Sequence, residues 1–193
     1  MGRKAVLSRQ EAIEEYILLR LRTEDIKRLG FLVEGLYDGK VRLPDDSPFS
    51  RADLKDTVRT AYYGWLATLT DDDDRAVYAF DSLFALFPER RARIIKVQVG
   101  CEVCHPVLQQ FRNTVAFHNR ADVTAHIKAR RALIAEDASM ELAFAKKDFL
   151  QLMQELTAEE LERVPELPNV ITSMGLSHHP AFANVFPKPG VPF

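Results

Sequence analysis

Arg112, Asn113 and His118 stand in the order Arg-Asn-x-x-x-x-His, and their types suit chemistry on an anion. Histidine is the side chain best tuned for moving protons near neutral pH. A planar guanidinium offers forked donors to phosphate oxygens and to charge developing on them, with no metal required. Spacing adds a constraint. On a straight helix, residues six apart are separated by ~9 Å along the axis and ~120° around it. Arg112 and His118 of one chain therefore miss a shared phosphate unless the helix breaks before His118 or two chains combine their groups. The run Asn119-Arg120-Ala121-Asp122 makes a nearby break believable.

A second grouping competes. Cys101-Glu102-Val103-Cys104-His105 matches the haem c attachment pattern and supplies three of the four ligands a structural zinc needs. Cys101 and Cys104 both fall on the apolar side of a helical pattern, where small buried cysteines are an ordinary core choice. Pro106 follows at once and suits a helix start better than a haem-bearing helix. A fourth zinc ligand would come from His178 or His179, which the spacing does not demand. The expectation is therefore no cofactor and no metal, with Cys101-x-x-Cys104-His105 kept as the alternative. Asp71 to Asp74 reads as a solvated helix cap, since adjacent carboxylates on a loop lack a ligand geometry.

These groups need helices to hold them. Ser8-Arg9-Gln10-Glu11 is a capping-box pattern, and the spacing of Ile13, Ile17, Leu21, Ile26, Leu29, Val33 and Leu36 predicts one long helix or two abutting ones from about Arg9 to Tyr37. Asp38-Gly39 signals a turn. Ser50 with Asp53 opens the next helix, carried by Leu54, Val58, Ala61, Trp65 and Leu69. Val77, Phe80, Phe84 and Phe87 make another stripe, which Pro88 stops. Ile94, Val97, Cys101, Cys104, Leu108, Phe111, Val115 and His118 share one helical face in steps of three or four, with a kink or fresh start expected near His105. Val123, Ile127 and Ile134 carry a further helix, and Phe149, Leu152, Leu156 and Leu142 another. Thr157 with Glu160 reads as the cap of a short last turn. Residues 165–193 hold six of the ten prolines, yet include Val170, Ile171, Phe182, Val185 and Phe186. They read as an extended arm lying on the body or on a partner chain.

In this helical setting the Arg112-Asn113-…-His118 segment resembles the motif of HEPN domains, small helical bundles rich in metal-independent RNases. The resemblance covers roughly Ser50 to Leu156 in helix pattern, and only the short motif is specific. It implies an all-α, up-and-down bundle over residues 1–164, with the proline-rich arm over 165–193. It implies Arg112 as phosphate and transition-state binder, His118 as general acid or base, Asn113 as an orienting hydrogen-bonder, and a 2′,3′-cyclic phosphate product. HEPN nucleases pair two motifs across a two-fold axis, so a homodimer is expected. Arg120, Lys128, Arg130 and Arg131, just after the motif, would line an RNA path, although a solvated helix face is the more ordinary account of such a cluster. Arg90, Arg91, Arg93 and Lys96 form a second basic cluster. The family setting adds a bacterial toxin or phage-defence role and an antitoxin partner. A catalytically silent binding or scaffold module is the alternative reading.

Composition sets the outer bounds. The chain is 47% hydrophobic and 28% charged, enough for one good core and against wholesale disorder. Its net charge of −2 and pI near 6.2 confine any RNA contact to a local surface. No apolar run approaches the ~18 residues a membrane helix needs. The polar stretch from Ser8 to Glu15 does not read as a secretory signal, and two cysteines suit reduced thiols, so a cytoplasmic location is expected.

Overall fold

The computed structural model describes residues 7–40, 42, 50, 52–54, 57–58, 60–61, 77–111, 124, 127–128, 131 and 140–186, with the backbone alone at 77–79, 104–111 and 140–146. Helix accounts for 81% of the described residues and none is in a strand. The all-α expectation holds in this form. None of the described helices is long and apolar enough to cross a membrane.

Helix α1 spans Arg9–Tyr37 without a break. Its start is the reciprocal cap expected from the sequence. The Ser8 amide donates to Glu11 Oε2 (2.8 Å) and the Glu11 amide donates to Ser8 Oγ (3.3 Å). It ends where Gly39 takes φ 75°, a left-handed conformation that suits glycine. Helix α2 spans Val77–Leu86, and Pro88 opens a 3-10 turn, Pro88–Arg90, in place of a fourth helical turn. Helix α3, Arg91–Phe111, runs continuously through Pro106. No fresh helix begins near His105, although Pro106 has no N–H to give to the Glu102 carbonyl one turn earlier.

Helix α4 spans Met140–Arg163. It corrects one expectation, because Thr157 caps nothing. Its Oγ1 donates back to the Met153 carbonyl four residues earlier (2.6 Å), inside a helix that continues past it. Residues 165–186 are also folded rather than extended. Helix α5 spans Leu167–Ser173, and a 3-10 turn follows at Pro180–Phe182. Two prolines sit at the starts of these elements, where a missing N–H costs nothing. Within this stretch Leu167, Val170, Ile171, Ala181 and Phe182 are buried. Residues 187–193 lie outside the described residues.

The chain divides into two compact units. The first comprises Met1–Glu24, Asp72–Val99 and Lys147–Phe193. Its core joins Ile13, Tyr16 and Ile17 of α1, Leu83 of α2 and the following Phe87, Ile94 and Val97 of α3, Phe149, Leu152, Met153 and Leu156 of α4, and Phe182. The Tyr16 and Phe87 rings lie 5.4 Å apart at 57°, a favourable tilted pair. Surface ion pairs fasten α4 to its neighbours: Arg90 with Glu159, Arg93 with Asp148 and Glu155, and Arg163 with Glu89.

The second unit comprises Asp25–Asp71 and Gly100–Lys146. Within it Ile26, Leu36, Val58 and Cys101 are buried, while Phe31 is 73% exposed. The expected cap at Ser50 is present. Ser50 N and Oγ both donate to Asp53 Oδ2, at 3.1 and 2.6 Å, and the Asp53 amide donates to Ser50 Oγ. The spacing predicts Ile127 on an apolar face, and it is 44% exposed.

Candidate functional site

Arg112, Asn113, His118, Arg120 and Arg130 lie outside the described residues, as does Trp65. The residue before the motif is described: Phe111 belongs to α3, so Arg112 follows directly on a 21-residue helix. Beyond the motif, Thr124, Ile127, Lys128 and Arg131 are helical and all exposed. Their spacing, three, four and seven apart from Thr124, is that of neighbours on one helical face. Two of the four expected RNA contacts, Lys128 and Arg131, are thus presented to solvent, where a cation can meet a phosphate without desolvation.

The other groupings fare differently. Cys101 is buried at 7% exposure, as the core reading requires. Cys104 and His105 are helical, and their side chains lie outside the description. His179 is engaged locally, with Nδ1 accepting from the Ala181 amide (3.2 Å). No group of three metal-ligating side chains converges among the described residues. In the second basic cluster, Arg90 and Arg93 are held by α4 carboxylates and the Arg91 guanidinium sits 5.1 Å over the Phe84 ring. Lys96 is exposed.

The most developed polar constellation among the described residues is one that sequence reasoning missed. Tyr16 and Arg20 of α1, Glu160 of α4 and Asn184 of the C-terminal segment meet inside the first unit. The Tyr16 hydroxyl donates to Glu160 Oε2 (2.7 Å), and Arg20 Nη1 donates to the same oxygen. Asn184 Nδ2 donates to Oε1 (2.8 Å). Arg20 Nη2 donates to the Ala181 carbonyl and to Asn184 Oδ1 (3.2 Å), and the guanidinium sits 5.4 Å over the Phe182 ring. The Glu160 side chain is 0% exposed and that of Arg20 8%. Burial first, and the Glu160 charge second, push the Tyr16 hydroxyl far above the usual tyrosine range.

Such a cluster is closed. Both carboxylate oxygens of Glu160 and both terminal nitrogens of Arg20 are engaged by protein groups, so it binds elements of the fold to one another rather than a substrate. A signal for it existed in the sequence. Arg20 continues the Ile13, Tyr16, Ile17 stripe, and Glu160 continues Phe149, Leu152, Met153 and Leu156 before Val164. Two opposite charges, each in phase with an apolar face, point to a buried ion pair.

No protein-family model, curated protein or solved structure matches this chain.

Proposed function

We propose that this chain is a metal-independent endoribonuclease of HEPN type, cleaving single-stranded or looped RNA by 2′-hydroxyl attack on the neighbouring phosphate. The observation that carries the reading is the Arg112-Asn113-x-x-x-x-His118 order, joined directly to the long helix α3 in an all-helical chain. Arg112 holds the phosphate and the charge of the phosphorane-like transition state, His118 moves the proton, and Asn113 orients. The exposed positions of Lys128 and Arg131 support an RNA path beside the motif. On a straight helix a guanidinium and an imidazole six residues apart miss a shared phosphate, so, unless the helix breaks before His118, the active species is a homodimer that pools two motifs. A toxin or phage-defence role in the cytoplasm, held in check by an antitoxin protein, belongs to the same reading.

The direct test incubates purified protein with RNA in EDTA beside Arg112→Ala and His118→Ala variants, with the oligomeric state measured by sedimentation. Cleavage by the parent and not by the variants, from a dimer, is the expected result. Three proteins that behave alike would remove the nuclease and leave a helical binding module. A strictly monomeric active species would remove the composite site.

A further inference from the structure

The contacts that close the first unit join residues very far apart in the chain. Tyr16 and Glu160 are 144 positions apart, Arg20 and Glu160 140, Arg20 and Ala181 161, and Arg20 and Asn184 164. Every described acceptor of the Arg20 guanidinium thus lies in α4 or in the last part of the described chain. The buried side of α1 up to Thr23 is built from Ala12, Ile13, Tyr16, Ile17, Leu19, Arg20 and Thr23.

The segment that supplies the last of these partners, Leu176 to Phe186, has little regular structure of its own. Its backbone bonds are local, His179 to Leu176, Phe182 to His179, and Val185 and Phe186 to Phe182. Short turns of this kind ordinarily open at small free-energy cost. Two features oppose that here. Ala181 and Phe182 are buried at 5% and 0% exposure. The Ala181 carbonyl and Asn184 also complete the hydrogen bonding of the buried Arg20–Glu160 pair. Lifting the segment leaves a guanidinium and a carboxylate short of partners inside the unit, a state costly enough to bring the surrounding helices with it.

We infer that Leu176–Phe186 is the keystone latch of the first unit: the N-terminal half of α1 and this C-terminal segment open and close together. The segment is not a tail that detaches from a standing helix. The amino-terminal helix gains full protection only when the chain through Asn184 is in place.

Native-state hydrogen exchange on the full-length chain tests the latch, comparing the parent with Asn184→Ala and Phe182→Ala. In the parent, the amides of Ile13 to Thr23 and those of Phe182, Val185 and Phe186 should share one opening equilibrium. Asn184→Ala should speed exchange in both sets by a common factor of roughly ten or more, since it removes hydrogen bonds to charged groups. Phe182→Ala should do the same more strongly. If it fails to fold, the milder Asn184→Ala still decides the matter. Acceleration confined to residues 177–186, with α1 unchanged, overturns the latch, and so does a variant Asn184→Ala that accelerates neither set.

Discussion

Arg20 and Glu160, 140 residues apart, form an ion pair inside the first unit, with side chains 8% and 0% exposed. A buried pair of this kind is poor evidence for net stability, because desolvation of both ions offsets their attraction. Breaking it is another matter, since the survivor is left charged and unpartnered. Glu160→Ala or Arg20→Met should each lower unfolding free energy by about 3–5 kcal/mol, read from urea midpoints. The double variant Arg20→Met, Glu160→Leu should lose far less than the sum of the two. Additive losses would mean the groups do not depend on one another.

Tyr16 supplies the third member of that cluster, and its hydroxyl is buried against the carboxylate it serves. Tyr16→Phe removes one donor to Glu160 and should cost about 1–3 kcal/mol. The pH dependence has a definite sign. Burial raises the folded pKa above the ordinary tyrosine value of about 10. The folded state then keeps a proton that the unfolded chain gives up, so this contribution is complete below pH about 10 and is lost as pH rises further. Parent protein should therefore lose stability above pH 10 more steeply than Tyr16→Phe. Parallel curves would show that Tyr16 titrates normally.

What the sequence made legible was local. Ser8 with Glu11 and Ser50 with Asp53 cap because three residues suffice to specify the geometry. Ile13, Ile17, Phe149, Leu152 and Leu156 are buried because a 3.6-residue period gathers them on one face. The same reasoning misread Thr157 and Glu160, whose spacing imitates a cap while the helix around them continues. What fixes Glu160 is a guanidinium 140 residues away; its phase with Leu152 and Leu156 marks a buried charge, but a local pattern does not say which residue answers it. Pro106 predicts a kink or a fresh start, yet α3 passes through it with no new helix start, since a single proline removes one backbone hydrogen bond without necessarily ending the helix. Of the candidate site, the exposure of Lys128 and Arg131 followed from their charge. The convergence of Arg112 with His118 depends on a break or a second copy, which a linear motif does not encode.

The caps give a prediction of their own. The Ser8 side chain first, and its backbone amide second, hold the Glu11 carboxyl below its usual pKa, and Ser50 does the same to Asp53. Both contributions are present above the ordinary carboxylate range and disappear as pH falls through it. Ser8→Ala should lower Tm slightly at pH 7, and the gap from the parent should narrow in acid as Glu11 protonates without closing, because the bond from the Glu11 amide to Ser8 Oγ does not depend on charge. A gap of the same size at pH 7 and in acid would show that the Glu11 carboxylate takes no part in the cap.

The proposed chemistry leaves its own signature in pH. A single imidazole that moves the proton in the rate-limiting step makes kcat/KM for RNA inflect near the histidine value of about 6.5, shifted by whatever charge the second copy brings close. His118→Ala should lose about 10²- to 10⁴-fold in rate together with that inflection. Arg112→Lys should keep the inflection and still lose rate, because an ammonium cannot reproduce the forked contact of a guanidinium with a phosphate. The 5′ fragment should end in a 2′,3′-cyclic phosphate and the 3′ fragment should begin with a 5′-hydroxyl, both identified by mass, and both should form equally well in EDTA. A rate independent of pH from 5 to 8, or a product ending in a plain 3′-hydroxyl, would exclude attack by the 2′-hydroxyl with His118 as its proton carrier.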